Sequence, residues 1–275
     1  MLLCGQFQFE LSRPLVMGIV NVTPDSFSDG GQHFQHDAAL AHARQLITEG
    51  ADIIDIGGES TRPGAQPVSV QEELDRVLPI IEGLRGAPVP ISVDTCKPQV
   101  MHAAIAAGVQ MVNDINALQD AAAMNAVATG NVAVCLMHKQ GNPQTMQTQP
   151  QYQNVVPEVS GFLRARIAAA EAAGIRRERI VIDPGFGFGK TLAHNLDLLR
   201  HLDKLRELGV PVLAGLSRKS MLGALTGREA GDRVAASVAA ALIAVQRGAS
   251  IVRVHDVRET VDALKILNAI NKSEP

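Results

Sequence analysis

Short apolar runs alternate with longer helix-like stretches along almost the whole chain. About eight runs rich in Val, Ile and Leu are each followed by a stretch typical of a helix. This alternation favours a parallel sheet, because each crossover helix returns the chain to the edge where the next strand begins. The runs predict strands at residues 15–20, 53–56, 89–93, 111–112, 132–137, 180–183, 212–216 and 251–254. Helices are predicted at 37–49, 70–84, 98–108, 192–208 and 233–247, with Ala-rich and Ala/Arg-rich helices between them and a final helix after 256.

The number of repeats favours a closed barrel over an open doubly wound sheet, which more often has fewer strands and one ligand site at its switch point. The chain has 275 residues, and a (β/α)₈ barrel needs about 250. No linker or low-complexity tract divides it. We therefore predict an α/β fold, a single-domain (β/α)₈ TIM barrel over residues 14–270. Alternating Phe7, Phe9 and Leu11 predict an N-terminal β flap within residues 1–13, and residues 271–275 form a tail.

Composition argues for small-molecule chemistry. The net charge is −3 with scattered basic residues, which disfavours a nucleic-acid or anionic-membrane partner. The longest apolar segment, 234–245, is too short to span a bilayer, and polar residues interrupt the N-terminal stretch where a signal peptide would be apolar. Cys4, Cys96 and Cys135 lack disulfide or metal-site spacing, which predicts a reducing, cytoplasmic location.

Polar residues follow nearly every predicted strand. In a parallel barrel these exits share one face, where side chains from different strands converge. Each residue alone could be a helix cap or could satisfy backbone groups, and only the set as a whole predicts a site. The set is Asn21, Asp55, Asp94, Asn113, His138, Asp183, Lys219, Arg253 and His255.

The stretch IVIDPGFGFGK at residues 180–190 combines a buried strand, a carboxylate and a glycine-rich turn. Asp183 stands where this strand leaves the core, in a loop that can approach a ligand through its backbone. The end of the stretch resembles a phosphate-binding P-loop, but that pattern requires Gly at position 184, which is Pro. We therefore reject nucleotide hydrolysis.

The polar set suits a ligand with two different ends. Asp94, Asp183 and Asn113 offer acceptors and an amide donor to a flat heterocycle with N–H groups along one edge, whereas Arg253 and His255 suit an anion such as pyrophosphate. Lys219 has two interpretations. It could form a Schiff base, or it could join its neighbours Ser217, Arg218 and Ser220 in binding a phosphate or carboxylate.

With these residues assembled, the chain resembles the dihydropteroate synthase family of the folate pathway. The resemblance runs from about residue 14 to the last helix and implies a barrel, a homodimer, Mg²⁺ and inhibition by sulfonamides. It also implies two substrates, (7,8-dihydropterin-6-yl)methyl diphosphate and 4-aminobenzoate. The motifs are NVTPDSFSDG (21–30), GGESTRPG (57–64), SVDT (92–95), DPGFGFGK (183–190), SRKS (217–220) and RVHD (253–256).

The resemblance also implies a role for each matching residue. The pterin-binding set would be Asp94, Asn113, Asp183 and Lys219, with Met137 packing beside it. Asn21 would contact magnesium, and Arg253 and His255 would hold the diphosphate, with Val254 between them as a substrate-binding residue. The 4-aminobenzoate side would comprise Thr61, Arg62, Pro63, Phe188 and Ser220. The chain departs from the commoner family pattern at Cys96 and at Asn116-Ala117.

The implied reaction is an SN1-like loss of diphosphate followed by attack of the arylamine on the pterin-methyl cation. Asp94, Asp183, Lys219, Arg253 and His255 would be the catalytic set, acting mainly through electrostatics. Two alternatives remain. A pterin-binding methyltransferase domain would have no use for the basic pair Arg253 and His255, and a catalytically silent pterin-binding module would not need loop residues such as Asp25, Thr61 and Arg62.

Overall fold

The computed structural model describes residues 1–22, 32–60, 65–141, 146 and 148–271, with backbone only at 32–35. The strands are β1 (Leu2–Cys4), β2 (Phe7–Phe9), β3 (Leu15–Asn21), β4 (Ile53–Gly57), β5 (Ile91–Asp94), β6 (Met111–Asp114), β7 (Ala133–Met137), β8 (Ile180–Asp183), β9 (Leu213–Ala214) and β10 (Ile251–Val254). The helices are α1 (Gln32–Thr48), α2 (Val70–Gly83), α3 (Pro98–Ala107), α4 (Ala121–Gly130), α5 (Val155–Ala172), α6 (Leu192–Arg200), α7 (Ser220–Thr226), α8 (Val234–Gln246) and α9 (Val257–Asn271).

The strands β3 to β10 form one sheet in the order β8-β7-β6-β5-β4-β3-β10-β9, and all of its pairings are parallel. A parallel bridge between Ile182 of β8 and Val212 closes the sheet beside β9. The N–H of Ile182 donates to the carbonyl of Pro211 over 3.0 Å at the same seam. The predicted (β/α)₈ barrel is therefore confirmed.

Two hydrophobic clusters fill the described structure. The larger lies between the barrel wall and the surrounding helices. The smaller fills the amino-terminal half of the barrel, and its buried strand residues are Leu15, Met17, Ile53, Met111, Ala133, Cys135, Val181, Leu213 and Ile251. Leu2 and Cys4 of β1 belong to the same cluster and are fully buried. The N-terminal segment therefore closes the barrel at that end.

The pleat of the strands then determines what lies above this apolar layer. Side chains two residues apart point to the same face of a strand. Ile53, Met111, Val181 and Ile251 face the barrel interior, so the residues two positions further along face it as well. These residues are Asp55, Asn113, Asp183 and Arg253. The barrel interior thus changes from apolar to polar toward the carboxyl ends of its strands.

Several predicted elements differ in detail from the structure. The N-terminal flap is an antiparallel hairpin of β1 and β2, of which the sequence pattern predicted only the second strand. The predicted helix at 192–208 is α6 followed by a 3₁₀ helix, Leu202–Leu208, because the backbone at His201 leaves the helical region. The predicted strand at 212–216 is shortened to the two residues of β9. A short additional helix, α7, follows it and is capped by Gly227.

No helix among the described residues is long and apolar enough to cross a membrane.

Candidate active site

A buried group of ions links three strands at the carboxyl end of the barrel. Arg253 of β10 donates through Nε to Oδ2 of Asp55 on β4 over 2.6 Å, and through Nη2 to Oδ2 of Asp94 on β5 over 2.8 Å. The Asp55 side chain is fully buried, and those of Asp94 and Arg253 are 14% and 19% exposed. One guanidinium therefore ties two carboxylates together at the mouth of the barrel.

Asn113 extends this group onto β6. Its Nδ2 donates to Oδ2 of Asp55 over 3.0 Å, so that one carboxylate oxygen accepts from both Asn113 and Arg253. The other oxygen of Asp55, Oδ1, is buried and has no hydrogen-bond partner within the described part of the chain. Asn113 and Asp94 are also register partners on neighbouring strands. Three strands thus present acceptors and an amide donor to one space.

Asp183 and Lys219 complete the polar layer on the opposite side of the barrel. Oδ1 of Asp183 accepts from the N–H of Gly185 over 2.7 Å, and Oδ2 faces Gly215. A Cβ placed on Gly215 would lie 3.8 Å from Nζ of Lys219, 3.9 Å from Oδ2 of Asp183 and 3.9 Å from Cβ of Arg253. These three side chains therefore converge on Gly215.

The backbone of the loop after β8 holds the Lys219 ammonium in place. Nζ of Lys219 donates to the carbonyl oxygen of Phe186 and lies 4.8 Å from the centre of the Phe188 ring. The face of an aromatic ring attracts a cation. The ammonium is thus directed by one hydrogen bond and one cation–π contact.

Burial changes the proton affinities of these groups. It raises the pKa of Asp94 to about 7, although the charge of Arg253 opposes this change. It also raises the pKa of Asp183, against the charge of Lys219. Burial lowers the pKa of Lys219 to about 8, whereas the carboxylates of Asp55 and Asp94 outweigh burial at Arg253 and raise its pKa. Perturbed groups gathered in one cavity are typical of a functional site.

The segments 217–220 and 253–256, which hold the residues predicted to bind anions, contact one another. Nδ1 of His255 lies 3.0 Å from Oγ of Ser217, which itself accepts from the N–H of His255 over 3.2 Å. Ser217 therefore contacts both the backbone and the ring of His255 and fixes the direction of the imidazole. Arg218 turns away and forms a two-point ion pair with Asp256. Arg218 thus supports the loop, and Lys219 enters the cavity.

Asn21, the predicted magnesium contact, ends β3 beside the ion group. A Cβ on Gly57 would lie 3.7 Å from Oδ1 of Asn21 and 3.8 Å from Oδ2 of Asp94, so the amide oxygen faces the cavity. Among the described residues, no cluster of three or more His, Cys, Asp or Glu side chains could hold a metal ion. A hard amide oxygen in such a place fits Mg²⁺ that takes its remaining ligands from water and a substrate phosphate.

The other predicted substrate residues fall into two groups. Met137 and Val254 are buried at the ends of β7 and β10, Phe188 is half-buried beside Lys219, and Ser220 is exposed at the start of α7. Thr61, Arg62 and Pro63 lie outside the described residues. Hydrogen bonds hold the described residues on both sides of that segment. Oε1 of Glu59 accepts from the N–H of Val68 over 3.0 Å, and its Oε2 accepts from Nζ of Lys97 over 2.9 Å.

Two members of the polar set, His138 and Asp55, have contacts that their positions after a strand did not predict. His138 faces the loop after β8, where its Nδ1 lies 3.0 Å from Nζ of Lys190, and its ring packs edge-on against Phe162. Asp55 received no separate role from the sequence, yet it is the centre of the ion group. The signal for Asp55 was its place on an inward face two residues after Ile53.

Fold and site together define a (β/α)₈-barrel enzyme with a charged small-molecule site at the carboxyl ends of its strands. A model of the pterin binding enzyme family matches residues 17–255. The chain therefore belongs to the pterin binding enzyme family.

Similar proteins cover nearly the whole chain. A dihydropteroate synthase from Neisseria meningitidis serogroup C is 55% identical over 97% of this chain and 96% of its own length. The structure of the Xanthomonas albilineans dihydropteroate synthase with 4-aminobenzoic acid is 57% identical, covers 98% of both chains and superposes with a TM-score of 0.93. That of the Yersinia pestis enzyme with a sulfonamide drug is 50% identical, covers 99% of both chains and has a TM-score of 0.94.

Proposed function

We propose that the chain catalyses the dihydropteroate synthase reaction of folate biosynthesis. It joins (7,8-dihydropterin-6-yl)methyl diphosphate to 4-aminobenzoate and releases 7,8-dihydropteroate and diphosphate. The observation that carries this proposal is the polar layer at the barrel mouth, where Asp94, Asn113 and Asp183 face one space beside Lys219. The relatives, which match over nearly their full length, support the same reaction.

The arrangement suits recognition of a pterin. Pterin presents N–H donors along one edge, and Asp183 and Asn113, each 5% exposed, offer acceptors to it. A buried acceptor discriminates strongly, because an analogue without the donor leaves it unpaired. The ammonium of Lys219, beside Asp183, suits the carbonyl oxygen of the pterin ring. We therefore assign pterin binding to Asp94, Asn113, Asp183 and Lys219, with Met137 as a packing neighbour.

The reaction we propose is an SN1-like loss of diphosphate, which leaves positive charge on the pterin-methyl group. Asp94 and Asp183 stabilise that charge by their proximity. Arg253 and His255, at the end of β10 with Val254 between them, stabilise the departing diphosphate. Arg253 is already paired with Asp55 and Asp94, so it links the carboxylate side of the site to the anion side. The chain's own contribution is thus electrostatic, and no side chain is required as a general base.

We propose Mg²⁺ as the metal for the diphosphate, with Asn21 as its protein contact. When bound, Mg²⁺ neutralises charge on the leaving group. The amide oxygen of Asn21 lies on the cavity side of Gly57, near Asp94, in keeping with this role.

For 4-aminobenzoate we propose the side of the mouth lined by Phe188 and Ser220. The Phe188 ring is half-buried and can pack against the aromatic ring of the substrate, and the exposed hydroxyl of Ser220 can donate to the carboxylate. Thr61, Arg62 and Pro63, which are outside the described residues, complete this assignment by family resemblance alone. The structure of the Xanthomonas albilineans dihydropteroate synthase with 4-aminobenzoic acid supports the substrate class.

We also propose a homodimer that works in the cytoplasm. Large hydrophobic side chains are exposed on three successive helices, and a second copy would cover them: Leu225 on α7, Ile243 on α8, and Ile266 and Ile270 on α9. All three cysteines are free, and Cys4 and Cys135 are buried, which suits a reducing compartment.

The test is direct synthesis. Purified protein, both substrates and Mg²⁺ should yield dihydropteroate, and omission of either substrate should abolish the product. Asp183→Asn keeps the shape of the side chain and an oxygen for the N–H of Gly185, but mispairs with a pterin donor, so the affinity for a pterin should fall by roughly 1–3 kcal/mol. Wild-type protein that formed no dihydropteroate would refute the proposal.

A further inference from the structure

Lys190 ends the glycine-rich stretch and is buried deep in the protein, with 2% of its surface exposed. Its Nζ donates to the carbonyl oxygens of Gly185 over 2.9 Å and Phe188 over 3.0 Å, and it lies 3.0 Å from Nδ1 of His138. Two of these partners belong to the loop after β8 and the third to the exit of β7. A lysine with three donors can satisfy all three. Lys190 therefore sits inside the turn as its central hydrogen-bond donor.

The turn has little room to take any other path. A Cβ on Gly185 would lie 1.9 Å from the carbonyl oxygen of His138, and one on Gly189 would lie 2.3 Å from that of Gln140. Both glycines have positive φ, 67° and 63°. The backbone of this loop thus packs directly on the chain leaving β7, and Lys190 joins the two.

Asn195 of α6 holds the same turn from its other side. Oδ1 of Asn195 accepts from the N–H of Gly187 over 2.8 Å, and Nδ2 donates to the carbonyls of Lys190 and Thr191 over 3.2 Å and 2.8 Å. Asn195 is 3% exposed. Every hydrogen-bonding atom of its side chain is therefore used to shape the turn.

The groups that this turn presents are those that direct Lys219. Residues 186 and 188 supply the carbonyl oxygen and the aromatic ring against the Lys219 ammonium. A Cβ on Gly187 would lie 3.4 Å from Cδ of Lys219, so the stem of that lysine also rests on the turn. A small change in the path of the turn would move the ammonium relative to Asp183.

We propose that Lys190 and Asn195 are positioning residues of the pterin site, which fix the turn so that it holds Lys219 beside Asp183. Neither needs to touch the substrate. The inference rests on the proposed function, because it assumes that Lys219 and Asp183 bind a pterin.

The first experiment compares Lys190→Met with Arg179→Met. Arg179 is a matched control because it is also a buried cation, 4% exposed, that donates to two backbone carbonyls, those of Val132 just before β7 and Val127 in α4. It lies just before the start of β8, away from the strand ends that carry the site. Loss of either cation leaves buried carbonyls unpaired and should lower the thermal midpoint. Only Lys190→Met should also weaken binding of a pterin without diphosphate, measured by calorimetry, by about tenfold to a hundredfold. The Asn195→Ala variant should weaken it in the same direction and serves as the second variant if Lys190→Met does not fold.

The chain carries its own reporter of the turn. It has one tyrosine and no tryptophan, and the hydroxyl of Tyr152 donates to the carbonyl of Gly189 over 3.0 Å. Tyrosine fluorescence far below the unfolding transition should therefore change in Lys190→Met and Asn195→Ala, and stay as in the wild type in Arg179→Met.

The results of these experiments distinguish the positioning role of Lys190 and Asn195 from the proposed function of the protein. Wild-type protein that binds no pterin would overturn the function. Wild-type protein that binds a pterin, with Lys190→Met or Asn195→Ala binding it equally well, would overturn the positioning role. Equal losses of pterin affinity in Arg179→Met and Lys190→Met would also overturn it, because the effect would then follow general destabilisation.

Discussion

Arg253 and Asp55 meet through a single hydrogen bond of 2.6 Å between strands that are far apart in sequence, and the second oxygen of Asp55 remains buried without a partner among the described residues. Asp55 also accepts from Asn113. Its carboxylate therefore orients two side chains together, Asn113, which we propose binds the pterin, and Arg253, which we propose binds the diphosphate. An ion pair of this kind organises a site at some cost in stability, because both charges leave water.

Asp55→Ala should therefore impair both stability and binding. Removing Asp55 leaves Asp94 as the remaining described partner of the buried Arg253 guanidinium and leaves Nε of Arg253 unpaired, so the free energy of unfolding in urea should fall by about 3 kcal/mol. Pterin affinity should fall too, while Asp55→Asn, which retains an acceptor, should lose less of both. Lys265→Met provides the contrast, since it removes an exposed pair with Asp262 and should cost within about 1 kcal/mol. An Asp55→Ala protein as stable as the wild type would show that Asp55 is not needed to compensate the buried charge of Arg253.

Pterin binding should weaken as the pH falls through about 7. The pKa of Asp94 is raised to about 7 by burial, so the folded protein holds a proton there that the unfolded chain has lost. Asp94 accepts a donor from the ligand only when ionised. Calorimetry with a pterin without diphosphate, from about pH 7.5 down to about pH 5.5, should show this loss, and Asp94→Asn should reduce the slope. Asp183, whose pKa is also raised by burial, accounts for what remains.

The raised pKa of Asp94 affects the free energy of unfolding in the opposite direction from pterin binding. Because the folded state binds the proton more tightly, the contribution of Asp94 to the free energy of unfolding decreases as the pH rises from about 4 to about 7. Asp94→Asn should lack this decrease. A pterin affinity that stayed constant over the whole range in the wild type would contradict the assignment of Asp94 as an ionised acceptor.

Asn21→Ala should distinguish a role in metal binding from a role in pterin binding. It should reduce the magnesium-dependent affinity for the diphosphate substrate and leave the affinity for a pterin without diphosphate almost unchanged, because the proposed contact is with the metal alone. Titrations with and without Mg²⁺ measure both. Equal losses for the two ligands would instead place Asn21 in the pterin pocket.

Lys219 and Ser220 should divide their effects between the two substrates. Lys219→Ala should weaken pterin binding, because its ammonium lies beside Asp183, whereas Ser220→Ala should raise KM for 4-aminobenzoate only modestly, since backbone N–H groups remain. Sulfonamides imitate 4-aminobenzoate and should compete with that substrate alone in steady-state kinetics. If Lys219→Ala left pterin affinity intact, borohydride trapping should be used to test the Schiff-base alternative.

Much of the fold and part of the site could be predicted from local patterns. The alternation of apolar runs and helix-like stretches predicted the barrel, and the polar residue after each strand predicted which face would hold the site. Boundaries were less accurate where long-range contacts decide them. The two-residue β9 is one example, because the closing contact with β8 is made by Val212, outside the strand itself.

The sequence by itself determined which residues stand at the carboxyl ends of the strands. Each strand has a two-residue side-chain period, and each helix returns the chain to the start of the next strand, and both features follow from local chemistry. Only the tertiary structure decided which of them pair. Asp55 and Arg253 meet, and Lys190 turns inward to the loop rather than toward a phosphate, because closure of the barrel brings together strands that are remote in the chain. Contacts made by closure depend on the position of every strand at once, and no local pattern contains that information.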